Sequence, residues 1–132
     1  MTALTQVLVV EDEAVIRTAL KRLLERHEYQ VSEAGSVKES LDNFNMDDFD
    51  VIISDLRLPG APGTDLIKAT STPVLIMTSY SSIRSAIDSM KLGAVDYIAK
   101  PFEHNEIIES LAKVIREHGN RKQDIPAPAN DF

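Results

Sequence analysis

Short apolar runs alternate with segments of helical periodicity along the chain. Val7 to Val10 has the near-continuous apolar character of a strand buried on both faces, as central strands of parallel sheets are. In residues 14–26, Val15, Ile16, Ala19, Leu20, Leu23 and Leu24 recur at spacings of three and four, with Arg17, Lys21, Arg22 and Glu25 between them. That stripe predicts an amphipathic helix turned with its apolar face to a core. Tyr29 to Ala34 alternates polar and apolar residues as an edge strand does. Ser36 with Glu39 then forms a capping-box pattern that opens a second helix, running through about Asn45.

Asp50 to Ser54 is the next buried strand and ends at Asp55. A loop rich in Pro and Gly, residues 59–63, leads into a short helix over Thr64 to Ala69. Pro73 to Met77 reads as a fourth strand, Ser82 to Lys91 as a helix with Ile83, Ala86, Ile87 and Met90 inward, and Val95 to Ala99 as a fifth strand stopped by Lys100-Pro101-Phe102. A last helix, Glu103 to Glu117, buries Ile107, Ile108, Leu111, Val114 and Ile115, and Gly119 stands where a glycine would end it. Strands alternating with helices in this way imply βα units, right-handed crossovers and a parallel sheet covered on both faces. The predicted fold class is α/β, doubly wound. Residues 1–118 form one domain, and 119–132 read as a tail or linker.

Composition narrows the chemistry. At 132 residues the chain has room for about one domain, and it carries no cysteine, which removes thiolate nucleophiles and cysteine-based zinc sites. The count of 14 basic against 21 acidic side chains gives a net charge of -7 and a pI near 4.9. Such a molecule repels a phosphate backbone, so direct nucleic-acid binding by this chain is not expected. The longest apolar runs, VLVV and VLIM, have four residues, far below the ~18 that suggest a membrane span. The first basic residue, Arg17, follows Glu11-Asp12-Glu13, the reverse of a secretory signal. A cytoplasmic protein is the expectation.

In an open parallel sheet the ligand site lies beyond the carboxyl ends of the strands, where strand order reverses. The residues that fall there are Glu11 and Asp12 after the first strand, Asp55 after the third, Thr78 and Ser79 after the fourth, and Lys100 after the fifth. Like charges about 4 Å apart repel by roughly 4 kcal/mol at an effective dielectric of 20, so three clustered carboxylates demand raised pKa values or a cation. Magnesium suits the set, since it is satisfied by one or two carboxylates plus waters and phosphate oxygens, whereas a calcium cage wants more protein oxygens. With Lys100 and Mg²⁺ the charges balance. The site could then take up a phosphoryl group, with Asp55 as the nucleophile.

Four fragments, VLVVEDE at 7–13, VIISDLRLPG at 51–60, VLIMTSY at 74–80 and YIAKPF at 97–102, stand at the predicted strand ends. In that order they resemble the receiver domain of bacterial two-component response regulators, over residues 6–118. The resemblance implies a flavodoxin-like strand order 2-1-3-4-5. It implies that Asp55 accepts phosphate from a histidine kinase phosphohistidine, and that Asp12, Asp55 and the Arg57 main-chain carbonyl hold Mg²⁺ while Glu11 acts through water. Thr78 would bind the phosphoryl group and draw its loop inward, Tyr97 would exchange an exposed rotamer for a buried one, and Lys100 would pair with a phosphoryl oxygen. A cis Lys100-Pro101 peptide is also implied.

The stretch at 82–102 is similar to receivers of the nitrogen-regulation class, which precede an ATPase that activates transcription with an alternative sigma factor. The output domain or effector protein would lie outside this chain. By the same resemblance, the fourth helix, fifth strand and fifth helix would form a homodimer or docking surface with Ile83, Met90 and Tyr97 as apolar members. One departure stands out: from Asp55 to Thr78 the chain is about one helical turn shorter than the family's common spacing. Ala61-Pro62 also replaces the Met-Asp often found before Gly63, so an atypical loop or frayed third helix is expected.

Plainer readings stand beside these. A single acid after a buried strand usually caps a turn or helix, and Glu13 reads as such a cap, helped by the helix dipole. Thr78 could be an ordinary β-branched strand residue and Tyr97 a plain core or surface aromatic. His27, His104 and His118 share no metal-ligand spacing and read as solvated helix residues. A haloacid-dehalogenase-like phosphatase would need a second acid two residues after the nucleophile. Arg57 occupies that position and cannot serve as a general acid-base. Self-phosphorylation and slow self-dephosphorylation are therefore expected, without enzymatic turnover. An interaction module that no longer switches is the non-enzymatic alternative. A dinucleotide site is disfavoured because the first turn carries EDEA and no glycine fingerprint.

Overall fold

A computed structural model describes residues 4–79 and 83–118. Strand β1 (Thr5–Val10) is followed by α1 (Ala14–Arg26), β2 (Tyr29–Ala34) and α2 (Val37–Asn43). A single 3-10 turn at Met46–Asp48 leads into β3 (Val51–Asp55), then α3 (Asp65–Ala69), β4 (Val74–Thr78), α4 (Ile83–Leu92), β5 (Asp96–Ala99) and α5 (His104–His118). The five strands form one sheet in the order β2-β1-β3-β4-β5, every pair parallel. Both the doubly wound class and the strand order expected from the sequence are present.

Alternation along the strands divides the core between the two faces. Val7, Val9, Ile53, Leu75 and Met77 meet Leu20, Leu23 and Leu24 of α1 and Ile107, Leu111 and Val114 of α5 on one side. On the other, Leu8, Val10, Ile52, Val74 and Ile76 pack with Val37, Leu66 and Ala94. Central strands buried on both faces have no polar side to display, which explains the unbroken apolar runs in the sequence. Burying one such Leu, Ile or Val side chain stabilises the fold by about 1.5–3 kcal/mol.

The capping pattern at Ser36 is realised in modified form. The Ser36 hydroxyl accepts from the Glu39 amide at 3.0 Å, while the Glu39 carboxylate reaches past the cap to the Gly35 amide at 2.8 Å. α4 ends in a Schellman arrangement: Gly93, at φ +114, donates to the Met90 carbonyl, and Ala94 donates to the Ser89 carbonyl. The left-handed backbone there explains the glycine.

Two helix faces differ from the expected ones. Val15, at the first turn of α1, is 84% exposed, and Ala19 is exposed as well. Both line a groove of about 390 Å³ between α1 and Pro101-Phe102 rather than the core. In α4 it is Ser89 that is buried, while Ile87 and Met90 are nearly half exposed. The Ile83 side chain and Gly119, with the tail to residue 132, lie outside the described residues. The third helix is short, as its spacing predicted, with five residues.

Candidate functional site

β1 and β3 are neighbours at the centre of the sheet, with Val10 opposite Ser54. Their ends therefore deliver Glu11 and Asp55 side by side. Glu11 is wholly buried: its amide donates to the Ala34 carbonyl at 3.0 Å and its Oε2 accepts from the Glu13 amide at 3.1 Å. Asp12 follows in the turn and is exposed. Carboxylate oxygens of Glu11, Asp12 and Asp55 lie within 4.8 Å of one another. This is the acidic cluster that the strand ends predicted.

Lys100 enters from the opposite edge. Its amide donates to the Thr78 carbonyl at 2.7 Å, continuing the β4–β5 ladder, and the peptide to Pro101 is cis. Its ammonium donates to Glu11 Oε1 at 2.9 Å and to Asp55 Oδ2 at 3.3 Å. Burial pushes the Glu11 carboxyl above its ordinary value against the opposing pull of Lys100. Burial also pulls the Lys100 ammonium down, but the hydrogen bond to Glu11 and the charges of Asp55 and Glu11 outweigh it, so its pKa ends raised. The Lys100 ammonium thus meets two of the three clustered carboxylates at the mouth of the sheet. The surplus charge and the all-oxygen donor set fit a hard divalent ion.

The remaining predicted residues surround this centre. Thr78 ends β4, almost fully buried, one residue beyond the Met77 that pairs with Asp55. Arg57 is exposed in the loop two residues after Asp55. Tyr97 lies on β5, half-buried against the core face that includes Leu66 and Ala94. His27 lies just past α1, and His104 and His118 are the first and last residues of α5. None of the three joins the acidic cluster.

Gly63 was read from the sequence only as part of a turn, yet it is pressed onto the backbone of Asp55. A Cβ built there would come 2.1 Å from the Asp55 carbonyl oxygen and 2.4 Å from Ser54 Oγ. The Ser54 hydroxyl itself donates to that carbonyl at 2.9 Å, and the Gly63 amide donates to the Leu56 carbonyl at 2.9 Å. The loop after β3 is therefore laced to the backbone of Asp55. A glycine in a Pro/Gly-rich loop signals only a turn, so nothing in the sequence distinguished this close approach.

The molecule is thus a doubly wound parallel α/β domain with an acidic cluster and a lysine at the carboxyl ends of its central strands. The family model for the response regulator receiver domain matches residues 7–112. The transcriptional regulatory protein FixJ of Bradyrhizobium diazoefficiens is 33% identical over 122 residues, covering 89% of this chain and 60% of its own. The DNA-binding transcriptional regulator NtrC of Klebsiella pneumoniae is 32% identical over 127 residues, covering 92% of this chain and 27% of its own. Among solved structures, the chemotaxis protein CheY4 of Vibrio cholerae superposes with a TM-score of 0.78 at 30% identity, over 85% of this chain and 99% of that one. The chain belongs to the response regulator receiver domain family. Receiver domains are phosphorylation-dependent switches of two-component systems, signalling domains rather than classical enzymes, and bind Mg²⁺ through an acidic pocket. The chain spans from about a quarter to three fifths of the length of these two regulators. Among the described residues, no helix is long and apolar enough to cross a membrane.

Proposed function

We propose that Asp55 accepts the phosphoryl group from a phosphohistidine of a sensor histidine kinase, and that the modified domain controls a transcription-regulating output domain or effector protein. The observation that carries this reading is the cluster of Glu11, Asp12 and Asp55 oxygens within 4.8 Å, with the Lys100 ammonium bonded to two of the three residues. An Asp55 carboxylate oxygen attacks phosphorus in line, the phosphorus–nitrogen bond breaks, and its electron pair leaves on the imidazole. Lys100 exchanges its contact with the Asp55 carboxylate for one with a phosphoryl oxygen, which needs only a small movement of a side chain already at 3.3 Å.

Asp12, Asp55 and the Arg57 main-chain carbonyl would hold Mg²⁺, with Glu11 acting through water, since its Oε1 is already engaged by Lys100. Bound there, Mg²⁺ supplies positive charge against the equatorial phosphoryl oxygens. Thr78 and Tyr97 carry the change outward, Thr78 by bonding the phosphoryl group and Tyr97 by turning from half-exposed to buried. Arg57 offers no acid-base help to hydrolysis, so the acyl phosphate persists as a stored signal, made and lost slowly by the domain itself. The receiver would occupy residues 1–118 of a cytoplasmic protein and continue into a linker at 119–132. The exposed Met90 face of α4, with β5 and α5, would be its dimer or docking surface.

A beryllofluoride mimic with Mg²⁺, followed by nuclear magnetic resonance, tests the proposal. Resonances of Thr78 and Tyr97 should shift in the native chain and stay still in Asp55→Asn. Silence in both, or partner binding indifferent to Asp55 and Mg²⁺, would mark a module that does not switch. Sustained turnover of a small phosphomonoester would instead mark a phosphatase.

A further inference from the structure

The polar face of α1 sends one long side chain back toward the strand ends. Arg17 Nη1 donates to the Glu11 main-chain carbonyl at 2.6 Å, and Arg17 Nε donates to Glu33 Oε1 at 3.3 Å. Glu33 is itself held from its other oxygen by Lys21 at 3.4 Å. The Arg17 side chain is mostly covered, at 23% exposure. It therefore bridges the end of edge strand β2 to the turn that carries two of the three clustered carboxylates.

Around that turn, Lys100 also holds the Glu11 carboxylate, and the Arg17 amide donates to the Glu13 carbonyl. The Glu11 amide is tied to Ala34 and the Glu13 amide to the Glu11 carboxylate, and the chain then enters α1. The Glu11 carbonyl is the acceptor on the peptide joining Glu11 to Asp12, so whatever holds it sets how the two side chains are presented to Asp55. A planar fork with donors on separate nitrogens suits this double attachment.

We propose that Arg17, anchored by Glu33, is a positioning residue for the phosphorylation site: it fixes the Glu11-Asp12 peptide in the orientation that gathers the acidic cluster for a divalent cation. The inference rests on the magnesium reading above. Its sign separates it from a charge effect. By charge alone, a cation beside an acidic site opposes Mg²⁺ binding, and its removal would tighten binding. By positioning, its removal weakens binding.

The test uses the full chain and magnesium chloride alone, titrated by calorimetry, with amide hydrogen exchange at Glu13 measured without metal. Arg17→Met should weaken Mg²⁺ binding about tenfold, the low end for groups that orient ligands without touching the metal, and should speed exchange at Glu13. Arg17→Lys keeps the charge but has no fork, so it should recover only part of the loss. Glu33→Gln leaves Arg17 in place with a weaker anchor and should show a smaller loss in the same direction. Equal or tighter Mg²⁺ binding by Arg17→Met, with exchange unchanged, overturns the proposal. If that variant does not fold, unchanged binding and exchange in Glu33→Gln overturn it instead. Were the native chain to bind no Mg²⁺, the magnesium reading would fail, and exchange at Glu13 would decide the positioning claim alone.

Discussion

Replacing Gly63 with alanine adds one methyl group where the structure has no room for it. The new Cβ would stand 2.1 Å from the Asp55 carbonyl oxygen, 2.4 Å from Ser54 Oγ and 3.1 Å from the Asp55 carbonyl carbon. Serine could rotate away, but the carbonyl belongs to β3, where Asp55 pairs with Met77 and the next amide, of Leu56, donates to the Met77 carbonyl at 2.9 Å. Relief must come from the loop, which gives up the Gly63 to Leu56 hydrogen bond. Overpacking costs about 1–3 kcal/mol and a lost hydrogen bond about 1 kcal/mol, so a destabilisation of roughly 2–4 kcal/mol is expected. Gly60→Ala is the control. Gly60 sits at φ +87 with nothing within 4 Å of a built Cβ, so only left-handed backbone strain of about 1–2 kcal/mol applies. Urea unfolding of both variants reads the difference. A Gly63→Ala cost below that of Gly60→Ala would refute the close packing of the loop on the Asp55 backbone.

Further outcomes follow from the same geometry. Val15→Ser should leave stability within about 0.5 kcal/mol, because Val15 is 84% exposed, whereas Leu24→Ala, on the same helix and fully buried, should cost about 2–5 kcal/mol in urea unfolding. Lys100 has its pKa raised above 10.5 in the folded protein, so its contribution to stability is complete below pH 10.5 and is lost as pH rises through the folded value. Stability, read by unfolding against pH, should therefore decline above 10.5, and Lys100→Met should flatten that decline. The Ser110 hydroxyl donates to the Asp96 carboxylate and ties α5 to β5. Ser110→Ala should destabilise by about 1–2 kcal/mol, read by thermal unfolding, without moving Mg²⁺ affinity.

Much of this was readable before the coordinates because central strands and ligand sites obey strong rules. Val7 to Val10 and Val51 to Ile53 are buried on both faces, as central strands of a parallel sheet under two helical layers are. Glu11, Asp12, Asp55, Thr78 and Lys100 could be named because each stands at or within two residues of the carboxyl end of a strand, and the topology brings those ends together. Rotation of the helices was less legible. α4 carries Ala86, Ile87, Met90 and Leu92 around much of its circumference, so periodicity does not single out one face. Its seat against α3, where a Cβ on Gly93 would lie 3.1 Å from Ile67, is a tertiary contact. Val15 obeys helical spacing but faces an open groove beside Pro101-Phe102. Arg17 and Gly63 act through backbone carbonyls, and a main-chain acceptor leaves no mark in the sequence.

The central claim is that Asp55 is a Mg²⁺-dependent phosphoryl acceptor. Incubation with acetyl phosphate, with and without Mg²⁺, followed by peptide mass analysis and hydroxylamine treatment, tests it directly. The account predicts one hydroxylamine-labile phosphoryl group on the peptide containing Asp55, present only with Mg²⁺ and absent from Asp55→Asn. Equal labelling of Asp55→Asn, or no labelling of the native chain when donor and Mg²⁺ are both supplied, would contradict it.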